Sequence, residues 1–301
     1  MEQPAVLRTD GLTKKYGAFT ALNAVSLTVR PGDIYGLIGR NGAGKTTLFK
    51  CVMGLAAPTA GTVAINGESS RLRAERRKMG FMLAPSFFPY LTARDNLEYL
   101  CRLKAVRGRG EAERVLSLVG LRGEKKPYKA FSLGMKQRLG IAAALLGAPG
   151  AAVLDEPING LDPQGIIDIR NVIKDIHSRE GVTFVISSHI LAELELTATV
   201  FGFIEQGALL REISREELRE STKKTLTIDT DDPQKARLVV EGMGAGDIAQ
   251  NGSALVLSSG AERAGLYARA LVESGVELRR LSAEETTLEE YFLRLIGGKS
   301  V

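Results

Sequence analysis

The stretch Gly39-Arg40-Asn41-Gly42-Ala43-Gly44-Lys45-Thr46 decides how this chain is read. Two glycines flank four residues and lead into Lys-Thr, the pattern of a phosphate-binding P-loop. Both flanks agree with it. Asp33 to Ile38 (DIYGLI) reads as a buried strand entering the loop, and Thr47 to Met53 as the helix leaving it. Glycine reaches positive φ without strain, so the backbone can curl its N–H groups around an anion. The helix N-terminus adds partial positive charge at the same place. In this pattern Lys45 reaches the β- and γ-phosphates and Thr46 offers its hydroxyl to Mg²⁺. A chance glycine-rich turn is the bland alternative, and the strand–loop–helix setting argues against it.

Working outward, a length of 301 residues predicts about two domains. There is no uninterrupted apolar run long enough to span a bilayer. The most apolar stretch, Leu139 to Leu154, is broken by Gly147, Pro149 and Gly150 and reads as helix, turn and buried strand. The start, MEQPAVLRTD, lacks the basic-then-apolar pattern of a secretory signal, which predicts a chain that stays in the cytosol. Cys51 and Cys101 match no metal-ligand spacing and read as two reduced thiols in helices. The net charge of +5 is a local matter. Between Arg71 and Arg138 basic residues outnumber acidic ones by about a dozen, with clusters at Arg71, Arg73, Arg76, Arg77, Lys78 and at Arg102, Lys104, Arg107, Arg109. A solvated face, proximity to an anionic membrane leaflet, and nucleic-acid binding all fit that excess. The third is the weakest, because aromatic residues are not interleaved with the basic ones.

Strand-like and helical runs alternate, the signature of a largely parallel α/β sheet. The predicted strands are Ala5–Thr9, Val25–Val29, Ile34–Ile38, Thr62–Ile65, Gly80–Leu83, Ala151–Leu154, Thr183–Ile186 and Val200–Glu205, with an antiparallel subsheet among the early ones. From Thr92 to Leu146 only helices are predicted: Asp95–Arg102, Glu111–Val119 and Leu133–Leu146. Beyond Glu220 the character changes. Lys224–Asp229 reads as strand, Pro233–Glu241 as helix, Asp247–Gln250 and Ala254–Leu257 as a hairpin, Ala261–Glu273 as helix, Val276–Leu281 as strand and Thr287–Ile296 as a last helix. That order, βαββαβ plus a helix, suits a small ferredoxin-like α+β module.

Ala151-Ala152-Val153-Leu154-Asp155-Glu156-Pro157 is an apolar strand ending in adjacent carboxylates. In a P-loop ATPase such a strand lies beside the P-loop strand. Asp155 then holds Mg²⁺, and Glu156 faces the γ-phosphate and orients the attacking water. A helix cap would also explain an Asp-Glu pair standing alone. Ser132, in Phe131-Ser132-Leu133-Gly134-Met135-Lys136-Gln137-Arg138, is a good N-cap for the helix before that strand. Its hydroxyl, the Gly134 N–H and the helix dipole would equally form a second phosphate site. One P-loop already holds a nucleotide, so a second phosphate site makes sense if it completes the site of another subunit.

Five ordered motifs now stand in the chain: the P-loop, the segment at Ser132, Asp155-Glu156, Asn159-Gly160-Leu161-Asp162 and Ser187-Ser188-His189. In this set the chain resembles the ATP-binding subunit of an ABC transporter, over about Ala5 to Glu220. The run Ser-Leu-Gly-Met-Lys-Gln-Arg, the run Glu-Pro-Ile-Asn-Gly-Leu-Asp-Pro, the short C-terminal extension and Thr287-Leu288-Glu289-Glu290-Tyr291-Phe292 resemble the subgroup serving drug, bacitracin or lantibiotic exporters.

The resemblance implies a P-loop NTPase (RecA-like) α/β core over residues 1–222, with a helical subdomain inserted at about 86–147, followed by an accessory module over 223–301. It implies ATP and Mg²⁺ as cofactors, a second ATPase subunit in a homodimer, and an integral-membrane permease. The chain would then sit on the cytoplasmic face of the membrane, with no nucleic acid as partner. For the nucleotide it implies Tyr16 stacked on adenine, Gly39, Asn41, Gly42, Ala43, Gly44, Lys45, Thr46 and Thr47 around the phosphates, and Thr46 and Asp155 at the metal. Glu156, His189 and Lys45 would be catalytic, with His189 holding the water and Glu156 in line. Ser132 and Gly134 would bind the γ-phosphate held by the opposite subunit, and Asp162 would couple the two sites. His177 has no such context and reads as solvent-exposed in the middle of a polar helix.

One departure stands out. The family has a Gln after the strand Gly80–Leu83, but here no Gln lies between Gln3 and Gln137, and no acid between Glu75 and Asp95 replaces it. Catalysis then rests more heavily on Glu156, His189 and Mg²⁺. The aromatic run Phe87-Phe88-Pro89-Tyr90 in this segment reads either as part of an apolar groove for a permease helix or as helical-subdomain core. Three functions follow from the pattern. The first is the ATPase subunit of an exporter. The second is an ABC ATPase acting on nucleic acid or ribosomes, favoured only by the basic stretch. The third is a regulatory subunit with little hydrolysis, favoured by the missing Gln.

Overall fold

The computed structural model describes residues 4–83, 86–106, 108, 110–221, 224–258, 260–285 and 287–297. The chain divides into two compact units, Met1–Arg215 and Glu216–Val301. The boundary expected between residues 222 and 223 lies outside the described residues, as do Arg107 and Arg109 of the second basic cluster.

Among the described residues the first unit holds two sheets. In one, β1 (Leu7–Tyr16) runs antiparallel between β2 (Phe19–Val29) and β4 (Ala60–Ile65). In the other the strand order is β5 (Met79–Met82), β6 (Ala151–Asp155), β7 (Thr183–Ser188), β3 (Ile34–Ile38), β8 (Val200–Glu205) and β9 (Ala208–Ser214). Every pair is parallel except β8 with β9. Strands β3 and β7 are buried at every residue, which is why they read as continuous apolar runs: both faces of a parallel strand are covered. The P-loop is followed by α1 (Lys45–Met53). Leu48, Phe49, Cys51 and Val52 of α1 join a core that also holds Leu12, Leu22 and Val25 of the antiparallel sheet and Leu37, Val153 and Val185 of the parallel one. Burying each such side chain contributes roughly 1.5–3 kcal/mol.

Helices α2 (Leu72–Arg76), α3 (Ala93–Leu103), α4 (Glu111–Leu118) and α5 (Leu133–Ala144) follow, then α6 (Pro163–Glu180) and α7 (Leu191–Glu195). Helices α3, α4 and α5 pack on one another. Thr92 and Asp95 close a capping box at the start of α3. At the far end Lys104 Nζ donates to Ala143 O of α5 at 2.9 Å. Among the described residues no helix is long and apolar enough to cross a membrane. Both cysteines are free, Cys51 in α1 and Cys101 in α3, as their spacing predicts.

The second unit begins with α8 (Arg215–Ser221), which straddles the division. It then follows the predicted order: β10 (Lys224–Thr230), α9 (Pro233–Gly242), β11 (Ile248–Asn251), β12 (Ala254–Leu257), α10 (Ala264–Glu273), β13 (Leu278–Glu285) and α11 (Leu288–Ile296). Its sheet is antiparallel with strand order β11-β12-β10-β13. Leu226, Ile228, Leu255 and Leu257 alternate along β10 and β12 and pack against Ala236, Val240, Tyr267 and Leu271 of α9 and α10.

Five expectations are corrected. The strand ending at Asp155 does not lie beside the P-loop strand: β7 stands between β6 and β3 and pairs with both. β1 starts at Leu7 rather than Ala5 and continues to Tyr16, because bulged pairing with β2 carries it through the polar segment Thr13-Lys14-Lys15. The strand β9 has no clean alternation in sequence and exists because it hydrogen-bonds β8 across a tight turn at Gln206-Gly207. Arg76 of the basic cluster is not simply solvated: it donates to Val52 O at 2.6 Å and Cys51 O at 3.3 Å, the C-terminal carbonyls of α1, where a cation is favoured. His177 sits in the last turn of α6, half-buried, its Nδ1 2.9 Å from Val182 O. Gly181 ends α6 in the left-handed region, and the chain doubles back over the imidazole.

Candidate functional site

Backbone geometry builds the P-loop. Gly39 follows β3 directly, and a Cβ there would stand 2.4 Å from Ile204 O of β8. Gly44 adopts φ +111°, and its Cβ would meet Ala21 O at 2.8 Å. Only glycine satisfies both positions. Gly207 braces the loop from behind, donating to Ala43 O at 2.9 Å while its own carbonyl accepts from Asn23 N at 2.8 Å. Ala43 is buried, Thr47 half-buried, and Asn41, Gly42 and Thr46 face outward. Gly44 caps α1 without a side-chain bond, so the first N–H groups of this helix have no side-chain acceptor of their own.

Strands β3, β6 and β7 end in register. Ile38 pairs with Ser188, and Asp155 pairs with Ser187. The site therefore lies at the carboxyl ends of parallel strands, where α/β sheets place ligands. Two short chains of polar contacts cross it. In one, Lys45 is only 5% exposed. Its Nζ donates to Gly39 O at 2.6 Å and Arg40 O at 3.3 Å, and lies 3.2 Å from Glu156 Oε1. Glu156 Oε2 is in turn 2.8 Å from His189 Nδ1. In the other, Thr46 Oγ1 donates to Asp155 Oδ2 at 2.7 Å, and Ser187 Oγ donates to Asp155 Oδ1 at 2.6 Å. Glu156 holds φ +49°, a left-handed conformation that costs a non-glycine residue about 1–2 kcal/mol. Such strain collects at functional sites.

Lys45, Thr46, Asp155, Glu156 and His189, predicted from scattered motifs, are thus brought together. Ser132 and Gly134 stand apart. Ser132 caps α5, its Oγ accepting from Met135 N at 3.2 Å. Gly134 is open, with Leu161 the nearest atom to a notional Cβ at 3.9 Å. Among the described residues no hydrogen bond or ion pair links either to the Lys45–Glu156–His189 cluster. Asp162 caps α6, accepting from Gly165 N at 3.0 Å. Tyr16 ends β1 at 48% exposure, with Lys14 Nζ 4.8 Å from its ring centroid.

In the segment that lacks the expected Gln, Ala84 and Pro85 lie outside the described residues. Beyond them Asn96, buried in α3, clamps the chain at Phe88: its Oδ1 accepts from Phe88 N at 2.8 Å and its Nδ2 donates to Phe88 O at 3.2 Å. Phe87 packs half-buried against Tyr128, whereas Phe88, Tyr90 and Tyr99 form an exposed group, Tyr90 at 69%. Sequence reasoning attached no role to Asn96 or Ser187. The signal for Ser187 was its position at the end of a buried strand, where a hydroxyl needs a partner.

Comparison with known proteins gives the family. The ABC transporter family profile matches residues 22–159. The bacitracin transport ATP-binding protein BcrA of Enterococcus faecalis is 38% identical, covering 98% of each chain. The lantibiotic transport ATP-binding protein SrtF of Streptococcus pyogenes is 42% identical over 69% of this chain and 90% of its own length. Among solved structures, the ATP-binding cassette MJ0796, a dimer in a post-hydrolysis state bound to ADP and Pi, is similar with a TM-score of 0.62 and 26% identity, over 69% of this chain and 98% of that one. With its five motifs folded into one ATPase core and a relative matched end to end, this chain belongs to the ABC transporter family, as one of its ATP-binding, ATP-hydrolysing subunits.

Proposed function

We propose that this subunit powers export of a peptide antibiotic or a similar amphipathic molecule through a separate membrane permease, from the cytoplasmic face of the membrane. The single observation that carries the site assignment is the convergence of Lys45, Thr46, Asp155, Glu156 and His189 within two short contact chains. The substrate class rests on the relatives: BcrA, named for bacitracin transport, matches the chain end to end, second unit included.

In this reading the P-loop, Gly39 to Thr47, wraps the nucleotide phosphates, and Tyr16 offers its ring to the adenine. Lys45 exchanges its Glu156 contact for phosphate oxygens. The paired oxygens of Thr46 and Asp155 are a hard donor set and fit Mg²⁺, which binds through one or two protein oxygens plus phosphate and water. When bound, Mg²⁺ neutralises charge building on the phosphates. Glu156 takes the water, aligned by His189, whose Nδ1 already holds Glu156 Oε2. Ser132 and Gly134, open at the start of α5, receive the γ-phosphate of a second copy in a head-to-tail dimer, with Asp162 between the two sites. The helices between residues 86 and 147 serve as the arm toward the permease, with the exposed Phe88, Tyr90 and Tyr99 as its apolar contact. The strand order of residues 223–301 supports a ferredoxin-like accessory module.

The test is purification of tagged Glu156→Gln from solubilised membranes with Mg-ATP. A polytopic membrane protein in stoichiometric amount, and an ATP-dependent dimer by size-exclusion chromatography, are expected. Ribosomal proteins or nucleic acid in place of a membrane partner would overturn the exporter reading.

A further inference from the structure

Ser187 and Ser188 are adjacent at the end of β7, yet their hydroxyls do different things. Ser188 Oγ accepts from Ile190 N at 2.9 Å and shapes the turn that carries His189. Ser187 Oγ faces the neighbouring strand. It donates to Asp155 Oδ1 at 2.6 Å and accepts from Glu156 N at 2.9 Å. A serine hydroxyl has one proton to give, and Asp155 takes it; the Glu156 N–H fills a lone pair. The residue is 0% exposed, so water does not replace either bond. The arrangement follows from register, because Asp155 and Ser187 are direct partners in the β6–β7 ladder.

Two functions meet at this one oxygen. Asp155 has both carboxylate oxygens held by hydroxyls, Oδ1 by Ser187 and Oδ2 by Thr46. With Oδ1 fixed, Oδ2 is the oxygen left to face the Thr46 side. One residue on, Glu156 sits in the left-handed region at φ +49°, and its amide is tethered to the same Ser187 oxygen. That backbone conformation turns the Glu156 side chain toward Lys45 and His189.

We propose that Ser187 is a positioning residue for ATP hydrolysis: its hydroxyl ties the aim of the metal-side carboxylate Asp155 to the strained backbone that aims Glu156. The two carboxylates are then set as one unit, with no reliance on the segment that lacks the family's Gln. This rests on the assignment of Asp155 and Glu156 made above.

The experiment compares Ser187→Thr with Ser187→Val in the full chain. The two side chains have nearly the same shape, and only threonine keeps the hydroxyl. Three quantities are read: turnover per nucleotide-binding site, affinity for a fluorescent ATP analogue in EDTA, and hydrogen exchange of the Glu156 amide without nucleotide. Loss of a buried bond to a charged group predicts that Ser187→Val lowers turnover roughly tenfold or more relative to Ser187→Thr. Metal-free nucleotide affinity should stay within about threefold, since the P-loop is untouched. Exchange at Glu156 should accelerate in the valine variant only. Ser187→Ala against the parent serine gives the contrast in the hydroxyl if the bulkier pair does not fold. Equal turnover in Thr and Val variants overturns the proposal, as does a parallel loss of affinity and turnover, which marks a merely structural role. Glu156→Gln serves as the control. If it still turns over ATP, the underlying assignment has failed; if it is inactive while Thr and Val variants match, only the Ser187 proposal has.

Discussion

The ends of β3, β6 and β7 and the start of α5 are both phosphate sites by sequence, and they differ in one respect. At the strand ends, Lys45, Glu156 and His189 satisfy one another, and Thr46, Asp155 and Ser187 do the same. At the start of α5, the Ser132 side chain caps its own helix and Gly134 has only Leu161 in contact range, 3.9 Å from a notional Cβ. The first is a closed polar network that a ligand must enter by exchange. The second, in the proposed reading, is half a site that a second copy of the chain completes. A closed network resists change because each buried group removed leaves its partner unsatisfied. A half-site tolerates change locally and shows its loss only in assembly.

Substitutions at the two places test that difference. The largest effect is expected for Glu156→Gln. It keeps the shape and the acceptor for His189 while removing the base, so turnover should fall by about 10²–10⁴-fold in a steady-state ATPase assay with nucleotide still bound. Turnover within tenfold of the parent would break the comparison at its centre. Lys45→Ala comes next. Losing charge-assisted bonds to phosphate should weaken ATP binding by on the order of 10²-fold, measured by calorimetry.

At the half-site, Ser132→Ala should cost about 1 kcal/mol of stability through the lost cap and leave nucleotide binding to the isolated chain unchanged. The ATP-dependent dimer of Glu156→Gln should weaken measurably when Ser132→Ala is added. Analytical ultracentrifugation reads it, and an undiminished dimer would mean that α5 is not the completing half.

The smallest effect concerns how α5 is held. Glu111 receives two bonds from Arg114 at 2.9 Å and one from Gly147 N at 2.8 Å, and Arg114 also donates to Leu145 O just past α5. The Arg114 hydrogen bonds hold the Glu111 carboxyl below its ordinary value against the opposing effect of burial. A depressed carboxylate stabilises the fold above its unfolded pKa, and that stability is lost as pH falls through the folded one. Glu111→Gln should therefore destabilise by about 1 kcal/mol at neutral pH. The difference from the parent should begin to shrink in denaturant titrations as pH falls through the ordinary glutamate range, about 4.3, and vanish below the depressed folded value. Nucleotide affinity should not change.

The legibility of these regions follows the range of the forces behind them. The P-loop was readable because its residue types stand at short fixed spacing and Gly44 answers a local demand, a left-handed turn; the close approach of Ile204 to Gly39 is a tertiary demand on the same pattern. The buried strands β3, β6 and β7 were readable because both faces are covered and their middles are apolar, polar residues appearing only toward the ends of β6 and β7. Strand β9 was not, because its pattern is mixed and its pairing with β8 supplies what the pattern lacks. Arg76 read as one of a charged cluster, since nothing in its neighbours along the chain announces the α1 carbonyls it caps. His177 was misplaced because the end of α6 depends on one glycine, and its partner Val182 lies beyond that turn.

Sequence by itself determined the kind of chemistry in this protein: a phosphate loop, two adjacent carboxylates, a histidine after a strand and a serine-capped helix, each a matter of residue type at short spacing. Only the tertiary structure decided which of these meet. The register of β6 against β7 puts Ser187 opposite Asp155, and β3 beside β7 brings Lys45 within 3.2 Å of Glu156 across more than a hundred residues of chain. Register is set by the packing of whole sheets, to which each residue contributes little. No local window of sequence contains it.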